Sequence, residues 1–299
     1  MLPHRRGGGN GPCKARDAPC KARRPADLWL LTIAPGRRTK GASTGAIMRI
    51  DLNSDLGEGF GPWSMGDDAA LLPLVTSANI ACGGHASDPE TMFTTLCRAA
   101  DLGVVIGAHP GYADREGFGR RLIPMTPPEI ARMVAAQVGA LAGVAALAGA
   151  SVRYVKPHGA LANYAADRRD VSEAIVGAVR AMPGGLAILA ISGTELDLAA
   201  RAAGVPVHSE IFADRGYLPN GRLVPRGTAG AMIHDPETAA ARLIAFLKSG
   251  LMPVVGGDPI ALAAHSICVH GDSPGALAMA AHVRARLLAE GVTLAPFLP

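Results

Sequence analysis

From Met48 onward the chain alternates two kinds of segment, and this alternation limits the folds open to it. Short runs rich in β-branched and aliphatic residues occupy Arg49–Asn53, Val75–Ile80, Val104–Ala108, Arg153–Lys156, Leu186–Ile191, Val205–Ile211 and Ile267–His270. Longer Ala-rich stretches with helical spacing separate them, at Asp88–Leu102, Thr126–Ala148, Val171–Met182, Thr194–Ala203, Asp235–Lys248 and Pro274–Glu290. Asp88-Pro89 and Thr126-Pro127-Pro128-Glu129 set a capping side chain before proline at the first helical position, where a missing N–H costs nothing. A further apolar piece, Met252–Val255, either pairs or only connects. Strands separated by helices pair in parallel through right-handed crossovers. Seven such units in about 250 residues predict an α/β fold closed into a parallel β/α barrel, with a doubly wound open sheet as the competitor. No repeat or linker interrupts residues 48–299, which are expected to form a single domain.

Residues 1–47 read differently. They are rich in Arg, Gly, Pro and Ala, and carry ten Lys/Arg against two Asp. The other 252 residues carry 19 Lys/Arg against 23 Asp/Glu. The net charge of +4 therefore belongs to the head, and the body offers no case for binding nucleic acid. The head is expected to be a disordered tail, or sequence upstream of a natural start at Met48. Its apolar stretch, Leu28–Ala34, is at the lower limit for a targeting segment. No run of eighteen apolar residues occurs, so no membrane span is expected. Apolar residues at 49% and charged residues at 18% exclude a disordered body, and 4% aromatics imply an aliphatic core. The five cysteines form no CxxC pair, which fits a reduced, cytoplasmic protein.

Polar residues gather at the C-terminal ends of the expected strands. Asp51, Asn53, Asp55 and Glu58 belong to the first, Asn79 and His85 to the second, and His109 and Asp114 to the third. Lys156 and His158 follow the fourth, His208, Glu210, Asp214 and Arg215 the sixth, and His270 and Asp272 the last. In a barrel these ends converge on the face where active sites are built. Any one of them alone would read as a loop hydrogen-bonder; together they point to a site. No P-loop occurs, and Gly57-Glu58-Gly59-Phe60-Gly61 lacks dinucleotide-binding spacing. Gly271-Asp272-Ser273-Pro274-Gly275 matches a nucleophile elbow, but Pro274 has no N–H for an oxyanion. Ser273 or Asp272 is read instead as a helix cap. His85, His109 and His158 with Asp55 suit Zn²⁺ or a similar ion, or else form a catalytic or hydrogen-bonded cluster. Lys156, at the end of a buried strand, must meet an anion. That anion is a ligand phosphate or carboxylate, or the side chain of Asp55 or Glu210. Cys82 reads as a small buried thiol.

Six runs then carry a resemblance: Asp51-Leu52-Asn53-Ser54-Asp55-Leu56-Gly57-Glu58-Gly59-Phe60-Gly61, Ser77-Ala78-Asn79-Ile80-Ala81-Cys82-Gly83-Gly84-His85-Ala86, Gly107-Ala108-His109-Pro110-Gly111-Tyr112, Val155-Lys156-Pro157-His158-Gly159-Ala160-Leu161, Glu210-Ile211-Phe212-Ala213-Asp214-Arg215-Gly216-Tyr217 and Cys268-Val269-His270-Gly271-Asp272. In this order, from Met48 to about Pro299, the chain resembles the LamB/YcsF family. It departs at Ser87, where glycine is usual, and at Ala162, where tyrosine is common, neither at an expected catalytic position. The resemblance implies a deformed seven-stranded β/α barrel akin to the glycoside hydrolase and polysaccharide-deacetylase folds. It implies the A subunit of an ATP-hydrolysing 5-oxoprolinase, which opens 5-oxo-L-proline to L-glutamate together with subunits B and C. On that reading Asp55 or His85 is the base, His109 and His158 orient water or substrate, and Lys156 with Arg215 faces developing negative charge. Asn53, Asn79 and Glu210 are further substrate or nucleotide contacts, and Glu58 and Asp272 are ligands to the Mg²⁺ carried by ATP. A tightly bound metal would fall to Asp55, His85 and His109. The rivals are a stand-alone metal-dependent deacetylase or amide hydrolase, and a non-catalytic, partner-binding subunit.

Overall fold

The computed structural model describes residues 48–272 and 275–299. The expectations for residues 1–47, and for a cap at Ser273 with Pro274 behind it, lie outside the described residues. The elements run β1 (Arg49–Leu56), α1 (Asp68–Leu71) with a 3₁₀ turn (Leu72–Leu74), β2 (Ser77–Ala81), α2 (Pro89–Asp101), β3 (Val105–His109) and α3 (Pro127–Leu147). Then follow β4 (Val152–Val155), α4 (Gly159–Asp167), α5 (Arg169–Ala181), β5 (Ala187–Ile191), α6 (Glu195–Ala202), β6 (Val207–Phe212) and α7 (Pro236–Ser249). The chain ends with β7 (Leu251–Met252), β8 (Ile260–Ala261), β9 (Ser266–Cys268), α8 (Ala276–Ala289) and β10 (Thr293–Leu294).

Strands β1 to β6 pair in sequence, all parallel, and β9 bridges β6 back to β1. The result is the closed seven-stranded barrel, not the open sheet. One edge of β1 is shared: Arg49 and Ile50 pair with β10, and Asp51, Leu52 and Asn53 pair with β9. The doubtful piece at Met252 does pair, in a separate antiparallel ribbon of β7 and β8. Helix starts follow the cap signals. Asp88 accepts from the N–H groups of Glu90 and Thr91, and the Glu129 carboxylate accepts from Thr126 N–H at 2.7 Å. The long helix α3 is apolar and long enough to cross a membrane. Its buried stripe of Ile130, Val134, Val138, Leu141 and Ala145 packs on β3 and β4, between α2 and α5. Helix α8 opens at Gly275 with no side-chain cap, so Asp272 does not cap it.

The period of two along a strand puts aliphatic side chains outward against the helices and polar ones inward. Asp51, Asn53 and Asp55 all lie on the inner face, which is why β1 runs three residues past its expected end. In the sequence this polar alternation resembles the start of a loop. Inside, the Asp51 carboxylate accepts from the hydroxyls of Thr76, Ser77 and Ser266. Asn53 Nδ2 donates to Ser266 Oγ at 2.6 Å, and Asn79 Nδ2 donates to Asn53 Oδ1 at 2.7 Å and to Asp55 Oδ1 at 2.8 Å. Tyr154 OH donates to Asn79 Oδ1 at 2.6 Å. The Tyr154 ring fills the space a side chain at Gly107 would take. Below this ladder Tyr154, Ala187 and Leu189 pack with Phe297 and Leu298 of the C-terminal segment. His208 belongs here, with its ring centroid 4.7 Å from that of Phe297. It was expected at the ligand-facing end, but it is the second residue of β6 and sits at the opposite end of the strand from Phe212.

Burial raises the Asp51 carboxyl to about 6, although the hydroxyls of Ser266, Ser77 and Thr76 oppose the rise. The folded chain therefore holds this proton more tightly than the unfolded one. Its stabilising contribution is complete below the unfolded value of 3.8 and is lost as pH rises through 6. The loss is worth about 3 kcal/mol. Asp51→Asn removes this titration. Thermal or urea denaturation should show the variant gaining on the wild type by about that amount between acid and neutral pH. A stability difference independent of pH would refute the assignment.

Candidate active site

The C-terminal ends of the barrel strands open into a cavity of about 620 Å³. Asp55, His109, Lys156, His158, Glu210 and His270 all line it. Lys156 follows β4, its N–H bonded to Ala108 O at 2.9 Å, and its side chain is buried. Its Nζ lies 2.9 Å from Asp55 Oδ1, 2.8 Å from Glu210 Oε2, 3.3 Å from Asn53 Oδ1 and 3.1 Å from Cys268 Sγ. Of the anions open to Lys156 in the sequence, both carboxylates are its partners. Burial opposes charge on the ammonium, but Asp55 and Glu210 outweigh it and hold Lys156 well above its ordinary value. Burial likewise opposes the Asp55 carboxylate, but His109 and Lys156 hold it well below the ordinary range. Glu210 is raised by burial even though Lys156 pulls it down.

Beside this ion cluster stand three imidazoles. His109 ends β3, its Nδ1 2.7 Å from Lys156 O. A carbonyl only accepts, so Nδ1 carries a proton. His158 precedes α4, its N–H bonded to Pro110 O at 2.8 Å and its Nε2 2.8 Å from Phe118 O. By the same rule Nε2 carries the proton and Nδ1 the lone pair. The His85 ring stacks on His158 with centroids 3.7 Å apart. Its Nε2 is 3.2 Å from Glu58 Oε1, and its buried Nδ1 has no partner among the described residues. Burial and the neighbouring imidazoles hold His85 and His158 well below the usual histidine value, so both are neutral. Burial, with Asp55 and Asp272 nearby, raises Glu58 well above its usual value.

Several expected residues have other tasks. Asn53 and Asn79 belong to the ladder beneath the cavity and do not line it. Glu58 and His85 stand behind His158, also out of the lining. Of the two residues expected to bind Mg²⁺, Asp272 pairs with Arg120 at 2.6 Å and Glu58 lies 3.2 Å from His85. Arg215 is 5% exposed and donates to Ala231 O at 3.1 Å and Val224 O at 2.6 Å. Its guanidinium, lowered to about 10 by burial and by Arg226, fastens the loop after β6 with two of its donors and also lines the cavity. Ala162, set apart from the expected catalytic positions, lines the cavity.

Other groups escaped selection from the sequence. His270 Nδ1 donates to both Asp214 oxygens at 2.9 Å, which leaves its Nε2 as the free ring nitrogen. His270 and Asp214 both lie in the quoted runs, so the signal was present, but their pairing is a contact between two strands' loops. Arg226 also lines the cavity, with Nη2 3.4 Å from His270 Nε2 and Nη1 3.5 Å from Met232 Sδ. Among the described residues no carboxylate forms an ion pair with it. It sits in an irregular loop, where spacing carries no signal. For a metal, the ligand atoms of Glu58, His85, His109 and His158 lie within 4.8 Å of one another, and so do those of Asp55, Cys268 and His270.

The family described as LamB/YcsF matches residues 50–299. A Nocardia farcinica protein, named as the A subunit of 5-oxoprolinase, is 52% identical over 251 residues, covering 84% of this chain and all of that one. Its namesake from Rhodopseudomonas palustris is 48% identical, covering 84% of this chain and 99% of its own. Among solved structures, a lactam utilization protein from Thermus thermophilus superposes with TM-score 0.78 at 39% identity, covering 83% of this chain and 99% of that one.

Proposed function

The chain belongs to the LamB/YcsF family, and on that premise we propose that it is the A subunit of an ATP-dependent 5-oxoprolinase, which opens 5-oxo-L-proline to L-glutamate. The observation that carries this reading is the end-to-end match to relatives bearing that name, at 52% and 48% identity. Subunits B and C complete the complex, and ATP with Mg²⁺ is its co-substrate. The buried thiols Cys82 and Cys268 suit a reducing cytoplasm.

The chemistry suits the groups at hand. A five-membered lactam is resonance-stabilised and opens slowly. Phosphorylation of its oxygen at the expense of ATP makes the ring carbon electrophilic. Water then adds to that carbon, the C–N bond breaks, and the ring nitrogen takes a proton. Asp55, kept ionised by His109 and Lys156, and the lone pair of His158 form the basic side of the cavity. His270, oriented by Asp214 as a base is by its carboxylate partner, is placed to take a proton from the attacking water at Nε2 and pass it to the ring nitrogen. Arg226 is the free cation for the substrate carboxylate or the phosphoryl group. Arg226→Leu should raise KM about 10- to 100-fold, the worth of one charge-assisted hydrogen bond, and leave kcat within a few-fold. Steady-state kinetics at varied 5-oxoproline checks this, and an unchanged KM removes Arg226 from the site.

The deciding assay is glutamate release from 5-oxo-L-proline and ATP, by the chain alone and with candidate B and C subunits. Glutamate from the mixture only is the expected result. None from a demonstrably assembled mixture overturns the reading. The imidazole–carboxylate cluster favours a second reading, a metal-dependent amide hydrolase, which requires ATP-independent hydrolysis by this chain alone.

A further inference from the structure

We propose that His109 Nε2, His158 Nδ1, Asp55 Oδ2 and Glu58 Oε1 hold one divalent transition-metal ion. The reason is the convergence of four donor atoms. His109 gives its Nδ1 proton to Lys156 O, and His158 gives its Nε2 proton to Phe118 O. The remaining nitrogens, His109 Nε2 and His158 Nδ1, face each other at 3.0 Å, and each has a carboxylate oxygen beside it. A metal ion or a shared proton belongs between them.

The surroundings favour a metal over a shared proton. Asp55 Oδ2 lies 3.4 Å from His109 Nε2, and Glu58 Oε1 lies 3.6 Å from His158 Nδ1. A tetrahedral ion with bonds of about 2.1 Å sets its ligand atoms about 3.4 Å apart. Three of the six edges of such a site, at 3.0, 3.4 and 3.6 Å, bracket that value. A shared proton needs only the 3.0 Å contact, whereas the two converging carboxylate oxygens complete the four donors of a metal site. The other end of each imidazole, and the other oxygen of Asp55, is already held: by Lys156 O, by Phe118 O, and by Lys156 Nζ with Asn79 Nδ2. Such outer bonds orient metal ligands. His85 is outside the set, because it stacks flat on His158 and its Nε2 holds Glu58. The alternative group of Asp55, Cys268 and His270 is disfavoured, since the Lys156 ammonium sits 3.1 Å from Cys268 Sγ.

Two imidazoles and two carboxylates suit Zn²⁺, Co²⁺ or Mn²⁺. Such an ion supplies a Lewis acid at the wall of the cavity. The site stands whatever amide the cavity takes, so its test does not depend on 5-oxoprolinase activity. The full chain is stripped with a chelator, and Zn²⁺ and Co²⁺ are returned by equilibrium dialysis. The expected result is one equivalent per chain by elemental analysis, with a Co²⁺ ligand-field spectrum of low coordination number. His158→Ala and the isosteric Glu58→Gln should each weaken binding on the order of 100-fold while keeping the native circular dichroism. If one of them fails to fold, the other decides. Folded wild-type chain that takes up no stoichiometric metal overturns the proposal in favour of the shared proton. Equal binding by wild type and a folded variant overturns the ligand set.

Discussion

Lys156→Met is expected to cost the folded chain roughly 3–5 kcal/mol, the penalty for removing one partner from a buried ion cluster. For a domain of this size that lowers the melting temperature by about 6–20 °C. Methionine keeps the length and volume of the side chain, so little of the loss is a cavity. The loss lies in what remains: Asp55 Oδ1 and Glu210 Oε2, at 2.9 and 2.8 Å from the lost ammonium, become buried carboxylates with no cation between them. Their remaining amide and hydroxyl partners do not neutralise two charges. In the variant both carboxyls bind protons more tightly folded than unfolded. The deficit is therefore smallest in acid and grows as pH rises. Lys156→Met/Glu210→Gln should recover part of the loss, because it removes one of the stranded charges. Thermal melts across pH check the series. A single variant as stable as wild type at neutral pH would show that the ammonium does not hold these carboxylates.

Asp55→Asn is expected to lower glutamate release by the assembled complex roughly 10²–10⁴-fold, the usual worth of a positioned acid–base group. The asparagine is isosteric, and its Oδ1 can still accept from Lys156 and Asn79. What changes is the oxygen facing His109 Nε2 at 3.4 Å. It becomes an amide nitrogen, and the negative charge at the cavity wall is gone. The loss should fall on kcat, with KM near that of wild type. Turnover within a few-fold of wild type in a complex shown to be assembled would remove Asp55 from the chemistry.

Much of this site is legible in the sequence because barrel geometry converts strand ends into one surface. His109, Lys156, His158 and Glu210 follow from position alone. The limits of legibility are physical too. Asp55 reads as a loop residue because an inward polar alternation in a strand looks like the end of the strand. His208 reads as part of the mouth because composition does not say which end of a six-residue strand a side chain occupies. Helix α4 escapes notice because it opens at Gly159 without a side-chain cap. Strand β10 is two residues long and pairs only with Arg49 and Ile50, so no periodicity announces it. Arg215 reads as a ligand cation from its place beside Asp214, and it lines the cavity while two of its five N–H donors go to carbonyls of its own loop. A guanidinium's partners are set by the path of that loop, which spacing does not encode. Arg226, with no carboxylate partner among the described residues, is hidden for the same reason.

The shared edge of β1 also sets an order of events at the ribosome. The first strand made is completed by the last two, β9 at Ser266–Cys268 and β10 at Thr293–Leu294, and the floor beneath them waits for Phe297. Until these segments emerge, β1 to β6 form at most an open sheet. Its two outer strands show unpaired backbone, and Asp51 lacks the Ser266 hydroxyl. Closure is thus a long-range step that waits for Ser266–Cys268 and Thr293–Leu294. A nascent chain paused before Ser266 presents the free strand edges that other sheets pair with, and Phe297 with Leu298 is the stopper that ends this exposure.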